Sequence, residues 1–267
     1  MDRRTLLAGL TGLGLLAAAP AEARGWEAIR RSGRLRVAVE PDAPPFAFAP
    51  PAGGLVGYDI DVATAIAARL DVQVSFLAPG WNRILAGGWG NLADIAVAGI
   101  TPTSVRRRTL DLPVRYGTAA VVAIAPRDGA AGQAVDLAGQ TVAVSANTTA
   151  EAYLANRLVL DDAVRVPRRF EAAEVLRLVN DRDVIDHVTR GKVDGGVVTL
   201  AEALTAERAG LSLKILPGLL YVEPISVAVP RGQREVAARV RDAVDGLRAD
   251  GVLSRLSQTW FGIDLAQ

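Results

Sequence analysis

Apolar and polar positions alternate along short stretches of the chain, and between these stretches apolar residues recur with helical spacing. Residues 33–39 alternate and predict a first strand, which ends in a proline-rich loop that no regular element can continue. Residues 72–77 predict the next strand. The stretch between them predicts a helix, because its apolar side chains share one face: Ile60, Ala63, Ile66, Ala67 and Leu70. This succession is typical of an α/β protein.

Residues 94–111 carry the most informative polar pattern of the chain. Residues 95–97 predict a short apolar strand that breaks at Gly99, and hydroxyl side chains follow from Thr101 onward, before three consecutive arginines. Hydroxyl and backbone N–H groups donate hydrogen bonds to carboxylates, and a guanidinium binds a carboxylate with two parallel bonds. The pattern therefore outlines a carboxylate-binding site, although a polar turn before a solvated basic helix start explains the same residues.

Residues 1–23 have the composition of a secretory signal peptide. A charged head with Arg3 and Arg4 precedes an apolar run too short to span a bilayer, and Ala21-Glu22-Ala23 is a small-residue cleavage site. The two arginines also resemble a twin-arginine export signal, although they suit the general export route as well. We therefore predict a soluble periplasmic protein that starts at Arg24; the alternative is a retained N-terminal anchor.

Composition narrows the class of protein further. Half of the residues are hydrophobic and 22% are charged, which provides a sizeable core and excludes wholesale disorder. The net charge is only +1 and there is no sustained cationic stripe, so nucleic acid is not an expected partner. The chain contains no cysteine, so neither a disulfide nor a lipid anchor at the cleavage site is expected.

Short motifs follow one another in a fixed order: Pro44-Pro45-Phe46, Gly57-Tyr58-Asp59-Ile60-Asp61, Gly99-Ile100-Thr101, Arg106, Asp111, Gly191-Lys192-Val193-Asp194, Glu223-Pro224-Ile225 and Trp260-Phe261-Gly262. In this order and spacing they resemble the family 3 extracellular solute-binding proteins, the periplasmic receptors of polar-amino-acid ABC importers. Each motif alone is loose, and their combination is specific. The likeness covers nearly the whole mature chain.

The resemblance implies a two-lobed periplasmic-binding-protein fold of type II. Two α/β lobes would be joined by a two-strand hinge, with lobe one formed by residues 31–121 plus 222–267 and lobe two by residues 122–221. A small carboxylate-bearing solute, an amino acid or a related compound, would bind in the cleft as the hinge closes. The protein would then be a monomer without cofactor, metal or catalysis, and its closed form would be recognised by an ABC permease in the inner membrane.

Matching positions imply how the ligand carboxylate is bound. Arg106 falls on the family's arginine for the α-carboxylate, and Gly99 and Thr101 on positions that donate backbone and hydroxyl hydrogen bonds to it. From lobe two, Thr148 and Thr149 precede a predicted helix, and Thr149 is the expected carboxylate contact. An ordinary helix N-cap would use the same hydroxyl. Arg107 and Arg108 are expected on a solvated face, and Asn147 stands where the family usually has glycine.

Two further positions concern the ligand side chain. Trp81 matches an aromatic residue that lies against it, and an indole there can stack on a cation or cover an apolar chain. Packing in the core is the alternative role of Trp81. Glu40 stands at the position of an acid that holds a distal amino group of the ligand in some family members. The alternative is a strand-end glutamate that faces solvent.

The chain departs from the family pattern at two positions. Ala43 stands where an aromatic residue often precedes Pro-Pro-Phe, so one wall of the side-chain pocket is missing. Thr199 occupies the position of the aspartate that binds the ligand α-amino group. A neutral hydroxyl cannot supply a charge-assisted bond to an ammonium group. Either Glu40, Glu202 or another acid replaces this aspartate, or the ligand is not a standard α-amino acid.

Alternatives to the importer role remain open. Periplasmic cyclohexadienyl dehydratases, which act on prephenate or arogenate, share this fold and carry an acid three residues beyond the Thr199 position, where this chain has Glu202. A surface glutamate on the following helix is the simpler interpretation. A free-standing ligand-sensing partner of a membrane receptor is a further possibility. His187 with Asp183 and Asp186 forms a poor metal-binding pattern, and a solvated helix face is the better interpretation.

Overall fold

The computed structural model describes residues 23–89, 92–160 and 163–266. The predicted signal peptide lies outside the described residues except for Ala23, its last residue. Within the described ranges, no helix has both the length and the apolar character needed to cross a membrane.

Helices and strands alternate through most of the described chain. The α-helices are α1 Trp26–Ser32, α2 Tyr58–Arg69, α3 Trp81–Ala86, α4 Thr149–Leu154, α5 Asp181–Thr189, α6 Leu200–Arg208, α7 Arg234–Ala249 and α8 Val252–Phe261. The strands are β1 Arg34–Ala38, β2 Asp42–Ala43, β3 Ala47–Phe48, β4 Gln73–Leu77, β5 Ile95–Ile100, β6 Leu110–Pro126, β7 Thr141–Ser145, β8 Val159–Leu160, β9 Val164–Arg165, β10 Glu174–Leu178, β11 Gly195–Thr199, β12 Leu213–Ile215 and β13 Tyr221–Pro230. Short 3-10 helices cover Arg106–Arg108 and Ala134–Leu137.

One nine-stranded sheet runs in the order β10-β7-β11-β6-β13-β5-β1-β4, and β12 pairs with β6. The pairs β1–β4, β1–β5, β7–β10 and β7–β11 are parallel. The long strands β6 and β13 pair antiparallel with each other at the centre of this order. One parallel group of strands therefore lies on each side of two central antiparallel strands.

Strand β6 contributes to all four hydrophobic clusters of the described residues. Its first half places Leu112 and Val114 in two clusters that also contain strands β1 and β5. From Val121 onward its residues alternate between two other clusters, which contain β7 and β11. The chain thus crosses from one pair of cores to another within a single strand. The boundaries predicted for the two lobes, 31–121 plus 222–267 and 122–221, stay a prediction.

The local sequence patterns agree with most of these elements. The predicted helix face is buried at Ile60, Ala63, Ile66 and Ala67 of α2, whereas Leu70 follows the helix as its cap and is half-buried. The expectation that the third strand ends before Gly99 is wrong, because β5 continues to Ile100. Pairing with β13 holds this extra length in the sheet.

Candidate functional site

A cavity lies between the two groups of strands, at the ends of β1, β5, β7 and β11, and its open space, including solvent at the mouth, is about 870 Å³. A concave site with both apolar and polar lining residues is typical of small-molecule binding. All eight residues predicted to bind ligand line it: Glu40, Trp81, Gly99, Thr101, Arg106, Thr148, Thr149 and Thr199. The structure thus brings together residues that are far apart in the sequence. Their contacts with a ligand stay predictions.

Arg106 is the cationic centre of this cavity. Its side chain is buried, with 7% of the residue exposed, and Nη1 donates a 3.0 Å hydrogen bond to the backbone oxygen of Thr101. Nη2 donates a longer bond, 3.4 Å, to the backbone oxygen of Asn147, and the indole ring of Trp81 lies 5.2 Å from the guanidinium carbon. Since a guanidinium has five N–H donors, donors remain for a ligand carboxylate. Arg107 and Arg108 are exposed, as expected.

The backbone at Gly99 is arranged differently from the expectation. Gly99 has a φ of +58°, which glycine adopts without strain, and its N–H donates a 2.9 Å bond to the hydroxyl of Tyr116. This N–H is therefore already used within the protein, whereas the sequence suggested that it is available to a carboxylate. The tertiary fold is the reason, since β6 places the Tyr116 ring against this turn. Thr101 is buried beside it.

The two threonines before α4 have separate roles. Thr148 is the N-cap: its hydroxyl accepts a 3.3 Å bond from the N–H of Glu151 and donates a 2.7 Å bond to the backbone oxygen of Ser145. Thr149 is the first helical residue, and its hydroxyl accepts a 3.2 Å bond from the hydroxyl of Tyr221. The N-cap role considered for Thr149 therefore belongs to Thr148. The left-handed backbone expected at Asn147 is present, with a φ of +62°.

Trp81 and Glu40 form one wall of the cavity. Trp81 is half-buried, and its indole nitrogen donates a 3.3 Å bond to the backbone oxygen of Asn147. The Glu40 oxygen Oε2 is buried without a hydrogen-bond partner among the described residues. Burial, together with the nearby charge of Asp42, raises the pKa of Glu40, while a hydrogen bond from the Trp81 backbone opposes the rise. Glu40 as a whole is half-buried, and its carboxyl lines the cavity.

Thr199 and Glu202 are connected by a capping box at the start of α6. Thr199 donates a 2.6 Å bond from its hydroxyl to Oε2 of Glu202 and accepts one from the Glu202 N–H. The interpretation of Glu202 as a surface residue is wrong, because only 4% of it is exposed. The capping box folds the side chain back toward the cavity, where burial and the neighbouring Asp181 raise its pKa well above the ordinary value.

Sequence reasoning missed four acids of this cavity as site residues: Asp42, Asp59, Asp181 and Glu223. Asp59 and Glu223 lie in quoted motifs without an assigned role, and Asp181 follows the N-cap Asn180. Asp59 is buried and accepts a 2.7 Å bond from the Tyr116 hydroxyl. Burial raises the pKa of Asp59 to about 7, although this bond opposes the rise. No local pattern marks these residues, because only the fold brings them to one cavity.

Metal binding has no support in the described parts of the chain, where no group of three histidine, cysteine or acidic side chains is arranged to hold a metal ion. The Nδ1 atom of His187 lies 2.9 Å from the backbone oxygen of Asp183 and is bonded to the helix itself.

Two parallel strand groups, two long central strands and an intervening polar cavity define a two-lobed solute-binding protein. The profile of the bacterial extracellular solute-binding proteins, family 3, matches residues 35–263, and the chain belongs to this family. This confirms both the resemblance and the predicted fold class. The L-cystine-binding protein TcyJ of Escherichia coli K12 is 24% identical over 242 residues, which cover 90% of this chain and 86% of that protein.

Two further similarities bear on the site. The structure of an ancestral arginine-binding protein bound to arginine has a TM-score of 0.72 and 28% identity, covering 86% of this chain and 99% of that one. The cyclohexadienyl dehydratase of Pseudomonas aeruginosa is 31% identical over 115 residues, which cover 42% of this chain and 43% of that enzyme.

Proposed function

We propose that this protein is the periplasmic receptor of an ABC importer and binds an amino acid or a closely related carboxylate. The observation that carries the proposal is the setting of Arg106. Its guanidinium is buried in the cavity beside Thr101 and near Thr149, and no described carboxylate forms an ion pair with it. A buried cation without a paired anion favours a ligand that brings a carboxylate. The similar proteins described above bind cystine and arginine, which are amino acids.

Closure of the two lobes around the ligand is part of this proposal. Three contacts bridge the cavity mouth: the Trp81 indole to the Asn147 backbone oxygen at 3.3 Å, the Asn147 amide to Asn82 at 2.8 Å, and Arg182 to Asp42 at 3.5 Å. Rotation within β6 and β13 would break all three and admit the ligand. The closed form would present both lobe surfaces to an inner-membrane permease.

Delivery to the periplasm completes the proposal. A cleaved signal would release the chain at Arg24, whose guanidinium pairs with the buried carboxylate of Asp94. Asp94 also binds Arg36 on β1, which ties the new N-terminus to the sheet. The released protein would act as a monomer. N-terminal sequencing of the periplasmic protein and its mass in solution test this step.

A thermal-shift screen against the amino acids, cystine, their amino-free analogues and prephenate tests the function. A ligand that binds only the folded protein raises the melting temperature as its concentration exceeds Kd. We expect at least one amino acid to do so, and isothermal titration calorimetry should then give a single site per chain. If no amino acid or related carboxylate binds, the proposed function is wrong.

A dehydratase is the second candidate, and one observation favours it. Glu202 is a buried carboxyl group in the cavity whose pKa is raised well above the ordinary value, as a general acid requires. Incubation with prephenate or arogenate, followed by ultraviolet detection of an aromatic product, tests this activity. Turnover that disappears in Glu202→Gln would replace the receptor proposal.

A further inference from the structure

The cavity has a large surplus of acidic side chains. Besides the single guanidinium of Arg106, six carboxyl groups line it: Glu40, Asp42, Asp59, Asp181, Glu202 and Glu223. Removing charges from water is unfavourable unless other charges or hydrogen bonds compensate them. A ligand with only a carboxylate would increase the surplus, whereas a ligand that also carries an ammonium group would reduce it.

Two of these acids, Asp181 and Glu202, line the cavity from the first turns of α5 and α6, and burial, together with the charge of Asp181, raises the pKa of Glu202. Asp181 begins α5 and accepts a bond from the hydroxyl of Ser145, and Glu202 accepts one from the hydroxyl of Thr199. Burial raises the pKa of both carboxyl groups, and the Asp181 charge adds to the rise at Glu202, so the pair binds protons more readily than two free carboxyl groups do.

Glu223 supplies an independent indication of a ligand. It is 5% exposed, it lines the same cavity, and its oxygen Oε2 has no hydrogen-bond partner among the described residues. A buried acceptor without a donor is unfavourable, so a donor from a ligand would satisfy it. Glu223 is close enough to Asp181 and to Arg106 for each of their charges to affect its pKa. An ammonium group beside Glu223 would therefore lie within electrostatic reach of a carboxylate on Arg106.

We infer that Asp181, Glu202 and Oε2 of Glu223 form the subsite for the α-amino group of the ligand. This inference rests on the proposed function. The ammonium group binds there next to ionised carboxylates, so protons held by Asp181 and Glu202 pass to the solvent on binding. The subsite performs the task that the neutral Thr199 cannot perform.

The groups that face this subsite leave it able to accept a cation. On β13, burial raises the pKa of both Tyr221 and Glu223, and the charge of Asp181 adds to both rises. The pKa of Tyr221 is well above its ordinary value, so the phenol stays neutral. Arg106 is the one cation that acts on Glu223 among the described residues. Ser145 and Thr199 contribute hydroxyl groups that can hydrogen-bond the carboxylates in either state.

Isosteric variants test the subsite without removing its packing. Glu202→Gln keeps the capping box with Thr199, since glutamine serves this motif as well as glutamate. Asp181→Asn keeps an acceptor for the Ser145 hydroxyl. The matched control is Asp186→Asn on the same helix, where the side chain is 39% exposed and pairs with Arg190. Melting temperatures of all variants show whether each one folds.

The titration compares an amino acid with its amino-free analogue, for example L-arginine with 5-guanidinopentanoate. We expect the wild-type protein and Asp186→Asn to prefer the amino acid by at least about 100-fold, because a polar site strongly rejects an analogue that leaves it unpaired. In Glu202→Gln and Asp181→Asn this preference should fall at least tenfold. Titrations in buffers of different ionisation enthalpy should show proton release on binding to the wild type and less release with Glu202→Gln.

The outcomes separate this inference from the function on which it rests. Unchanged preference in both variants, with an amino acid still bound, would overturn the subsite and leave the receptor function intact. Binding of the amino-free analogue as tightly as the amino acid in the wild type would overturn it too. If neither an amino acid nor a related carboxylate binds to the wild type, the proposed function fails first; if only amino-free carboxylates bind, the subsite is overturned and the receptor function stands.

Discussion

Replacing Arg106 by alanine is the most direct test of the carboxylate site. The guanidinium donates 3.0 Å and 3.4 Å bonds to two backbone oxygens, and its remaining donors face the cavity. A hydrogen bond to a charged group contributes about 1.5–3 kcal/mol. Loss of this amount corresponds to a Kd that is about 10- to 150-fold weaker. The alanine variant also leaves Glu223 without its neighbouring cation, so the pKa of Glu223 should rise further.

The assay is calorimetric titration of the identified ligand into wild type, Arg106→Ala, Arg106→Lys and Arg107→Ala. Lysine keeps the charge and loses the planar fork, so Arg106→Lys should recover only part of the lost affinity. Arg107 is exposed and outside the cavity, and its variant should bind like the wild type. Melting temperatures in the absence of ligand separate lost affinity from lost folding, since Arg106 also bonds to Thr101 and Asn147.

Affinity within about threefold of wild type for a folded Arg106→Ala would refute the carboxylate site, because it corresponds to less than roughly 0.7 kcal/mol. Equal losses in the Arg106 and Arg107 variants would also refute it, since they would indicate a general electrostatic effect.

Three further predictions follow from the site. Burial raises the pKa of Asp59 from 3.8 to about 7, so ionising this group in the folded state costs stability as the pH rises. Urea titrations should show that the wild type loses roughly 4 kcal/mol of unfolding free energy between pH 4 and 8. Asp59→Asn should lose much less over the same range. Trp81→Ala should weaken ligand binding by about 0.5–2 kcal/mol and reduce the fluorescence change on binding. Thr148→Ala should mainly lower the free energy of unfolding, by about 1 kcal/mol, whereas Thr149→Val should mainly lower the affinity for the ligand. If both variants change stability and affinity equally, the separate roles assigned to the two threonines are wrong.

The sequence alone determined the class of fold. Periodicity predicted α2 and the first strands because burial of one helical face, or of alternate strand residues, follows directly from local spacing. The left-handed turn at Asn147 was expected from the family resemblance, because asparagine stands at a glycine position there and tolerates that backbone. The end of β5 was misplaced, because its last residues stay in the strand through pairing with β13, more than 100 residues away.

Only the tertiary structure shows which acidic residues line the cavity. Glu202 looked like a surface residue, and its burial depends on a capping box and on packing beside α5. Asp181 and Glu223 lie on different elements, and only the arrangement around β6 and β13 brings them within electrostatic reach of each other. A motif read along the chain predicted Arg106 as the residue for a ligand's negative charge, and the structure places it in the cavity. The carboxyl groups inferred to bind positive charge required the fold, because local spacing does not reveal which distant carboxyl groups share one buried volume.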